Sequence, residues 1–110
     1  MSVKFIGNNI TMTRGDTLKT KIIIKDSDGK EYIPVEGDSI RFAMKKKYTD
    51  EKPCILKDIP FDTCLLHLEP SDTKTLEQPS EYIYDIQITM NDGTVDTFIT
   101  GKLNIMQEVE

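Results

Sequence analysis

Several residue types that build functional sites are scarce in this sequence. Tryptophan is absent, histidine occurs once, at His67, and the two cysteines, Cys54 and Cys64, lack a CxxC spacing. A zinc site needs about four ligands, so this inventory disfavours a metal site. Apolar runs are far shorter than a membrane-crossing helix, and the N-terminus lacks the apolar stretch typical of a secretory signal. We therefore expect a chain made in a cytosol, without a membrane partner and with reduced core cysteines.

The charge of the chain is negative and unevenly distributed. Its 110 residues carry a net charge of −5, which disfavours nucleic acid as a partner. Residues 1–57 hold 12 Lys and Arg against 8 Asp and Glu, whereas residues 58–110 hold 2 against 11. Two interpretations remain open. Either the halves interleave within one sheet and neutralise each other, or opposite faces carry opposite signs and suit head-to-tail contacts between copies.

Apolar and polar residues alternate with a period of two along most of the chain, most clearly over residues 17–25, 39–46 and 81–90. With turn signals roughly every 8–12 residues, this pattern predicts seven to eight short strands in an all-β, antiparallel β-sandwich or small barrel. The one helical signal is a single turn that begins near Ser71. We predict a bulge or bend at Gly101, a mobile N-terminal segment over residues 1–9, and a single domain over residues 10–110.

The parity of each strand also predicts which side chains form the core, and the strands nearest the chain ends, residues 10–12 and 102–106, are the predicted sheet edges. The predicted core residues are Leu18, Ile22, Ile24, Ile40, Phe42, Leu66, Leu68, Tyr84, Ile86 and Ile88.

Two groups of charged residues are candidate protein-contact sites. Arg14-Gly15-Asp16 spells an integrin-binding tripeptide, although a charged turn before a strand is the favoured interpretation. Lys45, Lys46 and Lys47, with Lys52 nearby, form a basic cluster. This cluster is either a solvated loop that discourages edge pairing or a contact for an acidic neighbour.

No set of residues indicates catalysis or a cofactor. His67 lies in a strand-like run without a nucleophile or an orienting acid at a telling spacing, so it reads as a structural or surface histidine. Asp26, Asp28 and Glu31 lack the longer liganding pattern of a calcium loop. For a sugar-binding sandwich, Tyr32 and Tyr48 are the available aromatic platforms, because Tyr82 and Tyr84 fall on the buried-looking face. We expect no enzyme activity, cofactor or metal.

The order of these segments resembles a known group of proteins. The segments that carry the resemblance span about residues 10–107: Met12-Thr13-Arg14-Gly15-Asp16-Thr17, the stretch 37–45, Leu68-Glu69-Pro70-Ser71-Asp72-Thr73, the stretch 81–87, and the Asp92-Gly93 turn followed by 101–105. In this order the chain resembles small structural proteins of tailed phages and prophages of Gram-positive bacteria. It is also similar to the N-terminal domain of phage baseplate upper proteins.

That resemblance implies an immunoglobulin-like β-sandwich that works by assembly. The partners it implies are other virion proteins, or copies of the chain itself, and the location it implies is the virion, assembled in the bacterial host cytoplasm. The sequence ends at Glu110 without a receptor-binding extension, which favours a connector, decoration or attachment subunit. The alternative hypothesis is a stand-alone adhesion or carbohydrate-binding β-sandwich module.

Overall fold

The protein is described by a computed structural model that covers residues 4–6, 8–25, 28–74, 76 and 80–107. These residues form an all-β fold with one short helix. The elements, in chain order, are β1 (Lys4–Ile6), β2 (Asn9–Thr13), β3 (Leu18–Lys21), β4 (Ile24–Lys25), β5 (Glu31–Tyr32), β6 (Ser39–Lys45), β7 (Ile55–Ile59), β8 (Leu65–Leu68), α1 (Pro70–Thr73), β9 (Ser80–Thr89) and β10 (Val95–Met106).

A six-stranded sheet in the order β1-β2-β10-β9-β6-β7 forms the larger part of the fold. Its centre is the long antiparallel hairpin of β9 and β10, which turns at Asn91-Asp92-Gly93 as the sequence predicts. Strand β6 pairs with β9 on one side and with β7 on the other, with Ala43 opposite both Asp85 and Leu56. This arrangement fixes which side chains share the outer face of the sheet.

The predicted sheet edges and the purely antiparallel pairing are wrong. Strand β2 lies inside the sheet and runs parallel to β10, with Ile10 opposite Leu103 and Ile105 opposite Met12. Both strands are therefore paired on each side, and among the described residues the edges are β1 and β7. Position in the chain does not determine position in the sheet, because an early strand can pair with the last one when tertiary contacts bring the two ends of the chain together.

Part of the N-terminal segment is a strand of the large sheet. Lys4–Ile6 pairs antiparallel with β2, Phe5 lying opposite Ile10. Met1–Val3 and Gly7 lie outside the described residues.

Two small strand pairs complete the fold and share its core. Strand β3 pairs with β8, placing Leu18 opposite Leu68, and β4 pairs with β5 around the predicted turn that ends at Gly29. The predicted strand over residues 17–25 is therefore divided in two. All ten predicted core residues are buried in one hydrophobic cluster, which also includes Met12, Met44, Leu103 and Ile105.

Gly101 does not form a bulge. It pairs in register with Tyr84, and the irregularity of the hairpin falls between Thr97 and Ile99 instead. The glycine serves close packing: a Cβ atom at this position would lie 2.9 Å from Cε2 of Tyr84 and 3.0 Å from the carbonyl carbon of Asn8. Tyr84 Oη donates a hydrogen bond to the same Asn8 carbonyl, so the missing side chain lets β10 approach this junction.

Candidate functional site

The outer face of the six-stranded sheet carries a shallow cleft. Phe42 and Met44 are fully buried, so the intervening Ala43 points outward. Its small side chain lies in a row between Leu56 and Asp85, which leaves a depression of about 180 Å³. The residues lining the cleft are Arg41, Ala43, Lys45, Tyr48, Ile83, Tyr84, Asp85 and Thr100.

An ion pair forms the polar wall of this cleft. Arg41 Nη1 donates a hydrogen bond to Asp85 Oδ1 at 2.7 Å, and about a third of each side chain is solvent-accessible. Arg41 sits two residues before Ala43 on β6, and Asp85 lies directly opposite Ala43 on β9. The pair is therefore held by paired backbones at the site and does not depend on a flexible loop.

The basic cluster begins at Lys45, the last residue of β6, and continues into the loop that follows, at the rim of the cleft. We call residues 45–52 the lysine loop. Lys46 Nζ lies 5.0 Å from the ring centroid of Tyr82, and the amide of Lys47 donates to Asp50 Oδ2 at 3.1 Å. Lys47 and Lys52 are exposed, and Tyr48 is 82% exposed, the most exposed of the large hydrophobic side chains described. The loop is thus a fixed basic surface carrying one aromatic ring.

An acidic surface lies at the other end of β6, where two loops meet. Asp38 accepts hydrogen bonds from Tyr32 Oη at 2.6 Å, from the Val35 amide at 3.0 Å and from the Asn91 amide at 3.0 Å. These bonds tie the turn before β6 to the β9–β10 turn. We call this surface the acidic tip and define it as residues 34–39 and 89–97. It contains Glu36, Asp38, Asp92 and Asp96 and no Lys or Arg.

Hydrogen bonds shift the acid-base behaviour of the acidic tip. The pKa of Asp38 is lowered, chiefly by the hydrogen bond from Tyr32 and next by that from the Val35 amide. The same bond raises the pKa of Tyr32. The pKa of Asp92 is lowered by the Thr94 amide, which donates to its Oδ1 at 2.8 Å. Asp38 and Asp92 therefore keep their negative charge to a lower pH than an aspartate without these hydrogen bonds.

The Arg14-Gly15-Asp16 turn packs against α1. Arg14 Nη1 donates to the Lys74 carbonyl at 2.7 Å, and the Gly15 amide donates to Thr73 Oγ1 at 2.8 Å. Thr73 is fully buried beneath this contact. Arg14 and Asp16 are half-buried, as suits a structural turn.

All six predicted contact residues lie toward the same end of the large sheet, but they do not form one site. Strand β2, which leads into Arg14, is separated from β6, which leads into the lysines, by β10 and β9. The register of four strands decides this separation, and no local signal in the sequence reports it. The cleft was missed for a similar reason, because an alanine becomes the floor of a depression only when long side chains flank it in space.

The remaining reactive side chains are those of the two cysteines and the single histidine. Both cysteines are free thiols, but only Cys64 is buried, so the expectation of a core position is wrong for the exposed Cys54. His67 is half-buried on β8 opposite Lys19. Within the described ranges, no group of three or more His, Cys, Asp or Glu could hold a metal ion. No described helix is long and apolar enough to cross a membrane.

No protein-family model matches the chain, and no curated protein matches it either.

Proposed function

We propose that this protein is a non-enzymatic structural subunit of a phage or prophage virion that assembles through its two oppositely charged ends. The observation that carries the proposal is the separation of charge along β6. The acidic tip has four carboxylates and no cation, whereas residues 45–52 at the other end have four lysines against Asp50 and Glu51. The seven residues of β6 hold the two ends about 20 Å apart.

We also propose that the fold is an immunoglobulin-like β-sandwich, and the arrangement of the strands supports this assignment. In this assignment, the order β10-β9-β6-β7 matches strands G-F-C-C′ of a variable-type immunoglobulin domain, and the β3–β8 pair takes the place of strands B and E. The chain has neither the disulfide nor the tryptophan of antibody domains. Instead Phe42 on β6 packs on Tyr84 of β9, with ring centroids 5.3 Å apart. Because a fold of this shape does not by itself indicate a function, the assembly part of the proposal rests on the charged ends.

The partner that best fits these surfaces is a second copy of the chain. Each end also exposes apolar side chains, Val35 and Val95 at the acidic tip and Tyr48 at the lysine loop. A contact between one copy's acidic tip and the next copy's lysine loop is head-to-tail, so it generates a ring or a filament, as virion assemblies require. Another virion protein with a matching charge would use the same two ends.

The edge strand β7 supports contact through the ends over contact through the edges. Lys57 occupies an inward-parity position on this strand, and its ammonium lies 3.1 Å from Asp72 of α1. A charge directed inward from an edge strand discourages another chain from pairing there. Surface charge therefore directs assembly in this proposal.

Two measurements test the proposal. Mass spectrometry and cryo-electron microscopy of particles produced from the phage or prophage genes neighbouring this one should locate the subunit in the virion. Sedimentation of the purified protein should show association at about 0.1 M salt and dissociation at about 1 M, where charges are screened beyond about 3 Å. Absence from purified particles together with a salt-independent monomer contradicts the proposal.

The alternative function, an adhesion or carbohydrate-binding module, is favoured by the cleft beside Tyr48. A protein that is absent from particles yet binds host glycan or protein with a Kd of about 1 μM or tighter would replace the assembly proposal with this one.

A further inference from the structure

We infer that the cleft on the outer face of the large sheet binds a single neutral sugar ring, with Tyr48 as the stacking platform and the Arg41–Asp85 pair as the hydrogen-bonding wall. This site lies on the outer face of the sheet and goes beyond the assembly function, although it shares Lys45 and Tyr48 with the lysine loop. The assembly test relies on Glu36 and Lys47, which do not line the cleft.

The size of the cleft selects a small cyclic ligand. A volume of about 180 Å³ equals about six water molecules at roughly 30 Å³ each. It is smaller than the roughly 300–1,000 Å³ of sites for drug-sized ligands. This volume suits one six-membered ring with its hydroxyl groups better than it suits a nucleotide.

The apolar surfaces of the cleft suit one face of a pyranose. Ala43 on β6 and Ile83 on β9 form the apolar lining of the cleft. The two residues are close because Ile83 lies directly opposite Lys45, which is two residues after Ala43 on β6. The Tyr48 ring is exposed at the rim. The C–H bonds on one face of a sugar ring carry partial positive charge, and the π-face of tyrosine is negative, so the two attract when they stack.

The polar groups suit the hydroxyl edge of the same ring. The hydrogen bond between Arg41 and Asp85 uses only Nη1 of the guanidinium and Oδ1 of the carboxylate. Each of these planar groups can form further hydrogen bonds. Two planar groups side by side recognise neighbouring hydroxyls as bidentate partners. Thr100, directly opposite Asp85 on β10, adds a hydroxyl that both donates and accepts.

The charges that line the cleft favour a neutral sugar over a multiply charged ligand. Arg41 is already paired with Asp85, which leaves Lys45 as the one additional charge lining the cleft. A polyanion such as a phosphorylated glycan would place several charges against a single lysine. A neutral ring needs only the hydrogen bonds and the stacking surface.

The test is a titration of ¹⁵N-labelled protein with methyl glycosides of glucose, galactose and N-acetylglucosamine, and with glucuronic acid as the charged comparison. The solution contains about 1 M salt, where charge-driven assembly is screened. We expect saturable shifts of the Ala43, Ile83, Asp85 and Thr100 amides with at least one neutral glycoside. Because the ligand is neutral, its affinity should be insensitive to salt, whereas association of the subunits is not.

Three variants locate the ligand. Tyr48→Ala should weaken binding about tenfold, the amount that an aromatic stacking contact contributes. Ala43→Leu fills the cleft from the solvent side and should abolish binding without touching the core. The matched control is Ile33→Ala, which also truncates an exposed apolar side chain but lies outside the cleft.

The result that overturns the inference is the absence of saturable shifts with all three neutral glycosides, or shifts that survive both Tyr48→Ala and Ala43→Leu. Tighter binding of glucuronic acid than of every neutral glycoside overturns the neutral class. Equal affinity for a free glycoside and for the same sugar at the end of an oligosaccharide supports the single-ring site, and stronger binding of the oligosaccharide overturns it. The assembly proposal is judged separately, by sedimentation and particle composition.

Discussion

At the scale of single residues, the junction of Gly101, Tyr84 and Asn8 joins the centre of the sheet to its N-terminal side. The Tyr84 ring is buried, and burial raises the pKa of its hydroxyl, so this group stays protonated and donates to the Asn8 carbonyl. A glycine is needed opposite because any Cβ would press on both partners. Glycine is required at position 101 because a side chain would not fit, and not because of the backbone conformation, since φ of Gly101 is not in the left-handed region.

Gly101→Ala is expected to lower the free energy of unfolding by about 1–3 kcal/mol, the usual cost of overpacking a well-filled site. Urea unfolding measures the loss. Thr100→Ala, an exposed change at the neighbouring position of β10, is the control and should stay within about 0.5 kcal/mol of the original protein. Equal stability of Gly101→Ala and Thr100→Ala would show that the Asn8 segment does not pack here.

The two cysteines differ in exposure and should differ in reactivity. Removal of the sulfur atom from water is the largest cause of the raised pKa at both thiols, and at Cys54 it is partial, because Sγ is part-buried against the Met44 carbonyl while the residue as a whole is exposed. Both thiols are therefore mostly protonated at neutral pH and react faster as the pH rises. We expect Ellman's reagent to modify the exposed Cys54 first and Cys64 slowly in the folded protein, and to find two thiols per chain in denaturant without reductant. Cys54→Ser should remove the fast phase. No free thiol in freshly purified protein would contradict the prediction.

At the scale of elements, the carboxylate of Asp38 connects β5, the turn before β6 and the β9–β10 turn. Gly37 supports the same junction for two reasons. Its φ of +97° is one that other residues adopt only at a cost in free energy. In addition, a Cβ atom at this position would lie 2.8 Å from the Cβ atom of Asn91. One strand and two turns from separate parts of the sequence are thus joined through one carboxylate.

The stability of this junction should fall in acid. A carboxylate whose pKa is depressed by folding stabilises the native state above its unfolded pKa of about 3.9, and that contribution is lost as the pH falls through the lower native pKa. Tyr32→Phe removes the largest cause of the depression. We expect this variant to unfold at lower urea concentration at neutral pH and to lose less stability below about pH 4. Tyr48→Phe, at an exposed ring, is the control, and identical acid dependence in the two variants would contradict the role of Asp38.

The packing between β6 and β9 dominates the core. Phe42 lies opposite Ile86, and both are almost fully buried. Replacing either with alanine should cost about 2–5 kcal/mol in urea unfolding. Leu56→Ala, on the adjacent strand but 60% exposed, should cost little. A loss below about 0.5 kcal/mol at both core sites would mean that the register is shifted by one residue, since such a slip exchanges the two faces of a strand.

At the scale of the whole molecule, charge is divided between the ends of the large sheet more than between its faces. The outer face mixes signs, with Arg41 bound to Asp85 and Lys102 Nζ 3.5 Å from Glu81. The first interpretation of the charge asymmetry, mutual neutralisation, therefore describes this face. The second interpretation placed opposite signs on opposite faces, whereas the separation seen here lies between the acidic tip and the lysine loop at the two ends of the sheet.

Charge reversal tests whether the ends meet. Glu36→Lys at the acidic tip and Lys47→Glu at the lysine loop each place like charges at the proposed contact, so each should weaken association in sedimentation at about 0.1 M salt. A chain carrying both changes restores opposite charges and should regain association. Lys25→Glu, an exposed reversal outside both ends, is the control. Weakening by the control, or no recovery in the doubly substituted chain, would place the contact elsewhere.

The sequence by itself determined the strands, their turns and the residues that face inward. Period-two alternation and Asp-Gly turns act over a few residues, so β6, β9 and the β9–β10 turn could be predicted from the residues that form them. All ten predicted core positions followed from parity alone. The lysine cluster was also visible, because its members are neighbours in the chain.

Only the tertiary structure decided the sheet order, the edges and the candidate sites, because these depend on contacts between residues far apart in the chain. Ile10 lies beside Leu103, and this parallel pairing removes β2 and β10 from the edges. The acidic tip needs Asn91 to reach Asp38, and the cleft needs Ala43 to lie opposite Asp85. Local patterns fix the face on which a side chain lies, but which strands become neighbours is selected by the packing of the complete core.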